Sequence, residues 1–158
     1  MNPLQPLMAL LAQTERERDE AWAALQRATE AQARASAQAD QLLAYRRDYE
    51  QRWSAQFKTG GRIELVHCYH GFMDRLTQAV EQQQRIAQQA LAQVEHARTS
   101  LTAQEVRVGA VRKLIERRRH ELRIAAERIE QKQTDEFGAR MAWGQPPMSC
   151  GAGVPKAA

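Results

Sequence analysis

Apolar side chains recur along this chain at alternating spacings of three and four residues, the signature of a coiled-coil seam. One phase runs through Leu4, Leu7, Leu11, Ala21, Leu25, Ala28, Ala35, Ala39, Leu42, Tyr49 and Trp53, interrupted by Thr14, Arg18, Gln32 and Arg46. After Phe57 the pattern stops at Lys58-Thr59-Gly60-Gly61. Paired glycines supply the positive φ that a tight connection between helices needs. A second phase then runs from Val66 through Tyr69, Met73, Leu76, Val80, Ala87, Ala90, Val94, Ala97, Leu101, Val108, Val111, Ile115, Leu122, Ala125 and Ile129 without a skip.

Two long seams separated by one turn predict an all-α fold, a long antiparallel two-helix coiled-coil hairpin. The helices are expected at about 3–57 and 63–137, joined by a turn at 58–62, with a disordered tail over 138–158 where Gly, Pro, Ala and Ser take over. Ala28, Ala35 and Ala39 admit a close partner but bury little area, so this stretch of the first arm is expected to be the weaker half. Gly109 reads as a tolerated surface glycine inside the second helix.

Folding about Gly60-Gly61 predicts that Trp53 pairs near Val66 and Leu4 near Ile115. The second arm is longer, so the helix from about Glu116 to Phe137 is expected to overhang, leaving Leu122, Ala125 and Ile129 without an intramolecular partner. Such an uncovered apolar stripe is expected to be an interface.

Composition agrees with long helices and against a large core. Gln, Ala, Arg, Glu and Leu dominate, aromatics are 6%, and mean hydropathy is -0.66. These are strong helix formers. No stretch approaches the roughly 18 to 20 apolar residues that cross a bilayer, and the short run Leu7–Ala12 has no basic leader before it. A protein kept in the cytoplasm is the expectation.

The formal charge of +4 comes from 23 basic and 19 acidic side chains threaded together. The one dense basic block is Arg112, Lys113, Arg117, Arg118, Arg119 and Arg123, with Glu116 and Glu121 inside it. It reads first as a solvated helix face with short-range ion pairs, and second as a surface for an acidic protein or nucleic acid. Aromatics are absent from it, which argues against base stacking and against nucleic acid as a partner.

The chemical inventory is short. There is no HExxH among the four histidines, no phosphate-binding glycine loop and no GxSxG, so no enzyme is expected and no cofactor is implied. His67, Cys68 and His70 are close in sequence, but Cys68 points off the face the two histidines share and a stable zinc site needs about four ligands, so no metal is assigned. Cys68 and Cys150 are read as free thiols.

Three segments carry a resemblance. QLLAYRRDYEQRW at 41–53 places two tyrosines four residues apart before the turn. YHGFMDRLTQAVEQQ at 69–83 follows it with Tyr-x-x-Phe-x-x-x-Leu. QKQTDEFGAR at 131–140 closes the pattern with Asp135-Glu136-Phe137. In order and spacing these resemble the FliJ family of the bacterial flagellar export apparatus, over the chain from about Leu4 to Met141.

The resemblance implies a soluble component of the flagellar type III export system, peripheral on the cytoplasmic face of the membrane. It would act as a stalk in the ring of the export ATPase FliI, contact the export gate protein FlhA and help cycle export chaperones. The gate surface maps to Phe72, Leu76, Ala79 and Gln83, the last standing where relatives can carry His. Phe72 lies just outside the seam, whereas Leu76 lies on it and reads equally as core or contact. By analogy with rotary ATPases, the ring would meet Arg112, Lys113, Arg117, Arg118, Arg119, Leu122, Arg123 and Ile129. The alternatives are the stalk of a virulence-type injectisome, a generic dimerising coiled coil, and a nucleic-acid binder.

Overall fold

The structure, a computed structural model, describes residues 3–144. Helix α1 spans Gln5–Lys58 and helix α2 spans Ile63–Trp143, packed antiparallel. At about 1.5 Å per residue the two are on the order of 80 Å and 120 Å long.

Local chemistry sets their ends. Pro6 stands in the first turn of α1, where an amide hydrogen is not needed and its fixed φ suits the helix. At the other end the Thr59 hydroxyl and backbone N–H both donate to the Gln56 carbonyl, at 2.7 and 3.2 Å. Gly60 follows at φ 108°, a backbone region that side chains with a Cβ disfavour. At Arg62 the chain is extended, and its carbonyl accepts from the N–H groups of Leu65 and Val66 to open α2.

The helix termini fall within a residue or two of the sequence reading, except at the end of α2. There the helix continues through Gly138 to Trp143 instead of giving way to a tail. Ala139, Arg140, Met141 and Ala142 are good helix formers, and a single interior glycine costs only about 1 kcal/mol. Residues 145–158, the rest of the expected tail, lie outside the described residues.

The seam is as periodic as the pattern predicts. Every position of the first phase from Leu4 to Trp53, its four polar interruptions included, is buried or half-buried, as is every named position of the second from Val66 to Leu122. Bulk and its absence are unevenly divided between the helices. The buried positions of α2 are Leu76, Val80, Val94, Val108, Val111 and Ile115, whereas those of α1 are Thr14, Ala35 and Ala39. The α1 seam is shallow around Ala28, Ala35 and Ala39 and carries half-buried leucines and rings on either side of them. Thr14, only 2% exposed, bonds its hydroxyl to the Leu11 carbonyl at 3.0 Å, which meets its polar requirement inside the helix.

The register departs from the sequence-only pairing by about one turn or less near the glycines and by about two turns at the far end. The Trp53 ring lies 5.5 Å from that of Tyr69, one turn along α2 from Val66, and the Tyr49 ring lies 4.6 Å from that of Phe72. Farther along, Glu17 bonds Arg107, Glu15 bonds Arg112, and Met8 meets Arg119. Leu4, one turn before Met8, is thus level with the turn of α2 around Leu122 rather than with Ile115. Large rings near the turn set this register. Counting symmetrically from the glycines ignores how far an aromatic side chain reaches along its neighbour.

Candidate partner-binding surfaces

The four residues assigned to the export gate divide into two pairs. Leu76 is buried in the hairpin seam and is a core residue. Gln83 occupies a seam position too, where its side-chain amide donates to the Ala35 carbonyl at 3.3 Å and to Gln38 Oε1 at 3.1 Å. Both hold α2 against α1. Phe72 is 37% exposed, with its ring packed against Tyr49, and Ala79 is exposed two turns farther along the same edge. Only Phe72 and Ala79 present themselves outward.

Phe72 is held by a larger aromatic group. Tyr45, Tyr49, Trp53 and Phe57 follow one another at successive turns of α1, with ring centroids 5.3 to 6.2 Å apart. Tyr69 reaches across to both Trp53 and Phe57. Offset and edge-on pairs of this kind each contribute roughly 0.5–1.5 kcal/mol beyond the area they bury. The turn end of the hairpin is therefore stiff, and Phe72 is a fixed ring.

The basic block lies at the other end, beside the start of α1 rather than beyond it. Arg112 pairs with Glu15 at 2.7 Å, Arg118 with Glu121 at 2.9 Å, and Arg123 lies 3.0 Å from His120 Nδ1. Arg119 approaches Met8 Sδ at 3.9 Å. Lys113 and Arg117 are exposed, and neither forms an ion pair among the described residues. The solvated-face reading thus describes Arg118 and Arg123, while Arg112 fastens the two helices together.

The uncovered helix also starts later than expected. Leu122 and Ile124 are half-buried, whereas from Ala125 to Trp143 every residue is exposed. Leu122 thus lies at the last level α1 covers, and the overhang is Ala125–Trp143, on the order of 28 Å of single helix. Ile129 stands on it at 57% exposure, with Phe137, Met141 and Trp143 farther out, the last 91% exposed. Phe137 stood at the end of the expected overhang, whereas Met141 and Trp143 were missed because Gly138 was taken as a boundary. The spacing of Phe137 and Met141, four apart, was the available signal.

Nothing in the described residues gathers chemistry. No group of three His, Cys, Asp or Glu is placed to hold a metal ion, and Cys68 is exposed. Cys150 lies outside the described residues. The concave places are open shallow hollows along the hairpin, such as those lined by Leu7, Leu114 and Arg117 or by Gln38, Tyr45 and Gln83. No described helix is long and apolar enough to cross a membrane.

An extended hairpin with a rigid aromatic end, an ion-paired middle and a bare helical end defines a class of scaffold that works by touching partners along its length. The family model described as "Flagellar FliJ protein" matches residues 2–146, and the chain belongs to that family. It is accordingly a component of the flagellar type III protein export apparatus. No curated protein and no solved structure matches it.

Proposed function

We propose that this chain is the non-catalytic stalk of the flagellar export ATPase FliI, contacting the export gate FlhA near its turn and helping cycle export chaperones at the cytoplasmic face of the membrane. The overhang carries this reading. A single helix with Ile129, Phe137, Met141 and Trp143 exposed along it is expensive to leave in water, and entering a ring would cover it. Arg117 and Lys113, with no ion-pair partner, stand just below it to meet acidic loops at the ring's mouth.

At the other end Phe72 and Ala79 form the gate contact, with Leu76 and Gln83 positioning them from within. Separation of the two surfaces by most of the length of α2 allows one rod to engage an ATPase and a gate together. The family match favours the flagellar machine over an injectisome.

The test is the ATPase rate of purified FliI with the full chain and with a chain ending at Ile124. Stimulation by the first and not the second is expected. Stimulation that survives loss of Ala125–Trp143 would remove the overhang from the ring. If reversing the charges of Arg117, Arg118 and Arg119 together leaves stimulation intact, the basic block has no part in it.

A further inference from the structure

In a two-stranded coiled coil the positions flanking the seam are ordinarily charged, and each edge of the hairpin is closed by pairs across it. The far half of this molecule follows that rule in part, with Leu10 and Leu114 also exposed on the edge that carries Arg107. Arg107 bonds Glu17 along one edge at 3.0 Å, and Arg112 bonds Glu15 along the other at 2.7 Å. Near the turn, the edge that carries Arg107 changes character. Its α2 positions, seven residues apart, are Leu65, Phe72, Ala79 and Ile86, and all four are exposed. Leu65 and Ile86 are each 42% exposed, and Tyr45 of α1 faces the same edge at 48%. Between the helices there a hollow is lined by Gln38, Leu42, Tyr45 and Gln83.

The opposite edge of α2 over the same stretch provides an internal control. It reads Ile63, His70, Thr77, Gln84 and Leu91, polar through its middle. A helix apolar at both seam positions and at one flank has the face of a member of a three-helix bundle. Here only two helices are present. Beyond Ile86 the apolar column ends in Gln93 and Ser100 before Arg107 takes up its ion pair. Apolar character and the absence of a cross-helix ion pair thus coincide along about 32 Å of edge.

The charges bordering this stretch select the occupant. On the outer side of the column stand Arg75 of α2 and Arg34 of α1, neither with an ion-pair partner among the described residues. The carboxylate on that border, Asp48, is bonded to Arg52 at 2.9 Å. We infer that the edge formed by Leu65, Phe72, Ala79, Ile86 and Tyr45 seats one amphipathic helix of a partner protein, its apolar face on the ridge and its flanking carboxylates against Arg34 and Arg75. This rests on the reading of Phe72 as a partner contact and extends it to a helix-in-groove mode of recognition.

Residues 145–158 cannot reach this edge. Fully extended, 145–158 span at most about 50 Å, whereas Ile86 lies more than about 80 Å back along α2 from Trp143. A second copy offers its overhang, but Ala125–Trp143 carries three basic and four acidic side chains, nearly balanced.

The experiment uses the full chain and two fluorescein-labelled 21-residue helices, identical in their leucines at seam spacing and carrying Glu or Lys at the flanks. Anisotropy is expected to show the Glu helix binding and the Lys helix not. Affinity should fall at least tenfold in Ile86→Glu and in the Arg34→Glu, Arg75→Glu double variant, and stay unchanged in Gln84→Glu on the opposite edge. All substituted residues are exposed, and circular dichroism confirms that each variant folds. Equal binding of both helices, binding of neither, or equal loss in Gln84→Glu overturns the inference. So does a dimer of the full chain that Ile86→Glu dissociates, since the occupant would then be a second copy. FliI stimulation in Ile86→Glu is expected to match the parent chain. A Phe72→Ala chain that loses the Glu helix yet keeps full affinity for the purified gate domain would sink the gate contact and leave the groove standing.

Discussion

The two ends of this hairpin hold the same pair of helices together by different means. At the turn, rings from both helices interlock: Trp53 and Phe57 on Tyr69, Tyr49 on Phe72. Toward the start of α1, the cross-helix links at the edges are ion pairs, Glu15 to Arg112 and Glu17 to Arg107, over a seam of single branched residues such as Val108, Val111 and Ile115. Packing between these half-buried rings is insensitive to salt, whereas exposed ion pairs contribute only about 0–1 kcal/mol and are screened. One end is therefore a fixed anchor. The other is held by buried branched side chains, up to Ile115 at 3% exposure, just before α2 leaves its partner and becomes the bare overhang.

The comparison breaks first at the seam. Ile115→Ala removes a side chain that is 3% exposed at the last fully buried level before the overhang. It is expected to cost about 2–4 kcal/mol in urea unfolding. Ile129→Ala, the same kind of deletion on the overhang, should leave that stability within about 0.5 kcal/mol. Equal losses at the two sites would mean that the overhang is covered within the molecule.

Gly60→Ala tests the anchor itself. At φ 108° an alanine is strained whatever room surrounds it, and a cost of about 1–2 kcal/mol in thermal unfolding is expected. A neutral result would show that the turn adapts and that the rings alone set the register. Gly109→Ala acts in the opposite direction on the far half. An added methyl there meets open space, so the variant should gain up to about 1 kcal/mol from helix propensity. The smallest effect belongs to Arg112→Ala, which breaks the Glu15 pair. It should cost under about 1 kcal/mol at low salt and less in high salt, where an effect independent of salt would assign that end to packing instead.

The fold was legible because the seam repeats over many heptads and two glycines interrupt it once. Even its polar members, Thr14, Arg18, Gln32 and Arg46, proved to lie on it. What escaped was register and termination. A period of three and four residues is blind to sliding one helix past the other by a turn, so Leu4 was set against Ile115 when the rings of Trp53 and Tyr69 had displaced it toward Leu122. Gly138 looked like a stop, yet one glycine among helix formers does not end a helix.

The candidate surfaces were legible in part. Phe72 was rightly placed off the seam, but its contact with Tyr49 depends on the register. Gln83 has the spacing of a seam residue, a fact that only its bonds to Ala35 and Gln38 turn into an inward orientation. The column Leu65, Phe72, Ala79, Ile86 stands openly in the sequence at intervals of seven. Without the pairing that shows what covers it, it cannot be told from part of a core.

The central claim is that Ala125–Trp143 is a partner-binding helix with no role in holding the hairpin together. The most direct measurement compares the full chain with one ending at Ile124 in urea unfolding and in FliI stimulation, on the same preparations. The account predicts unchanged unfolding of the hairpin and loss of stimulation. A shortened chain that stimulates as well as the full one, or one whose hairpin is destabilised by several kcal/mol, would contradict it.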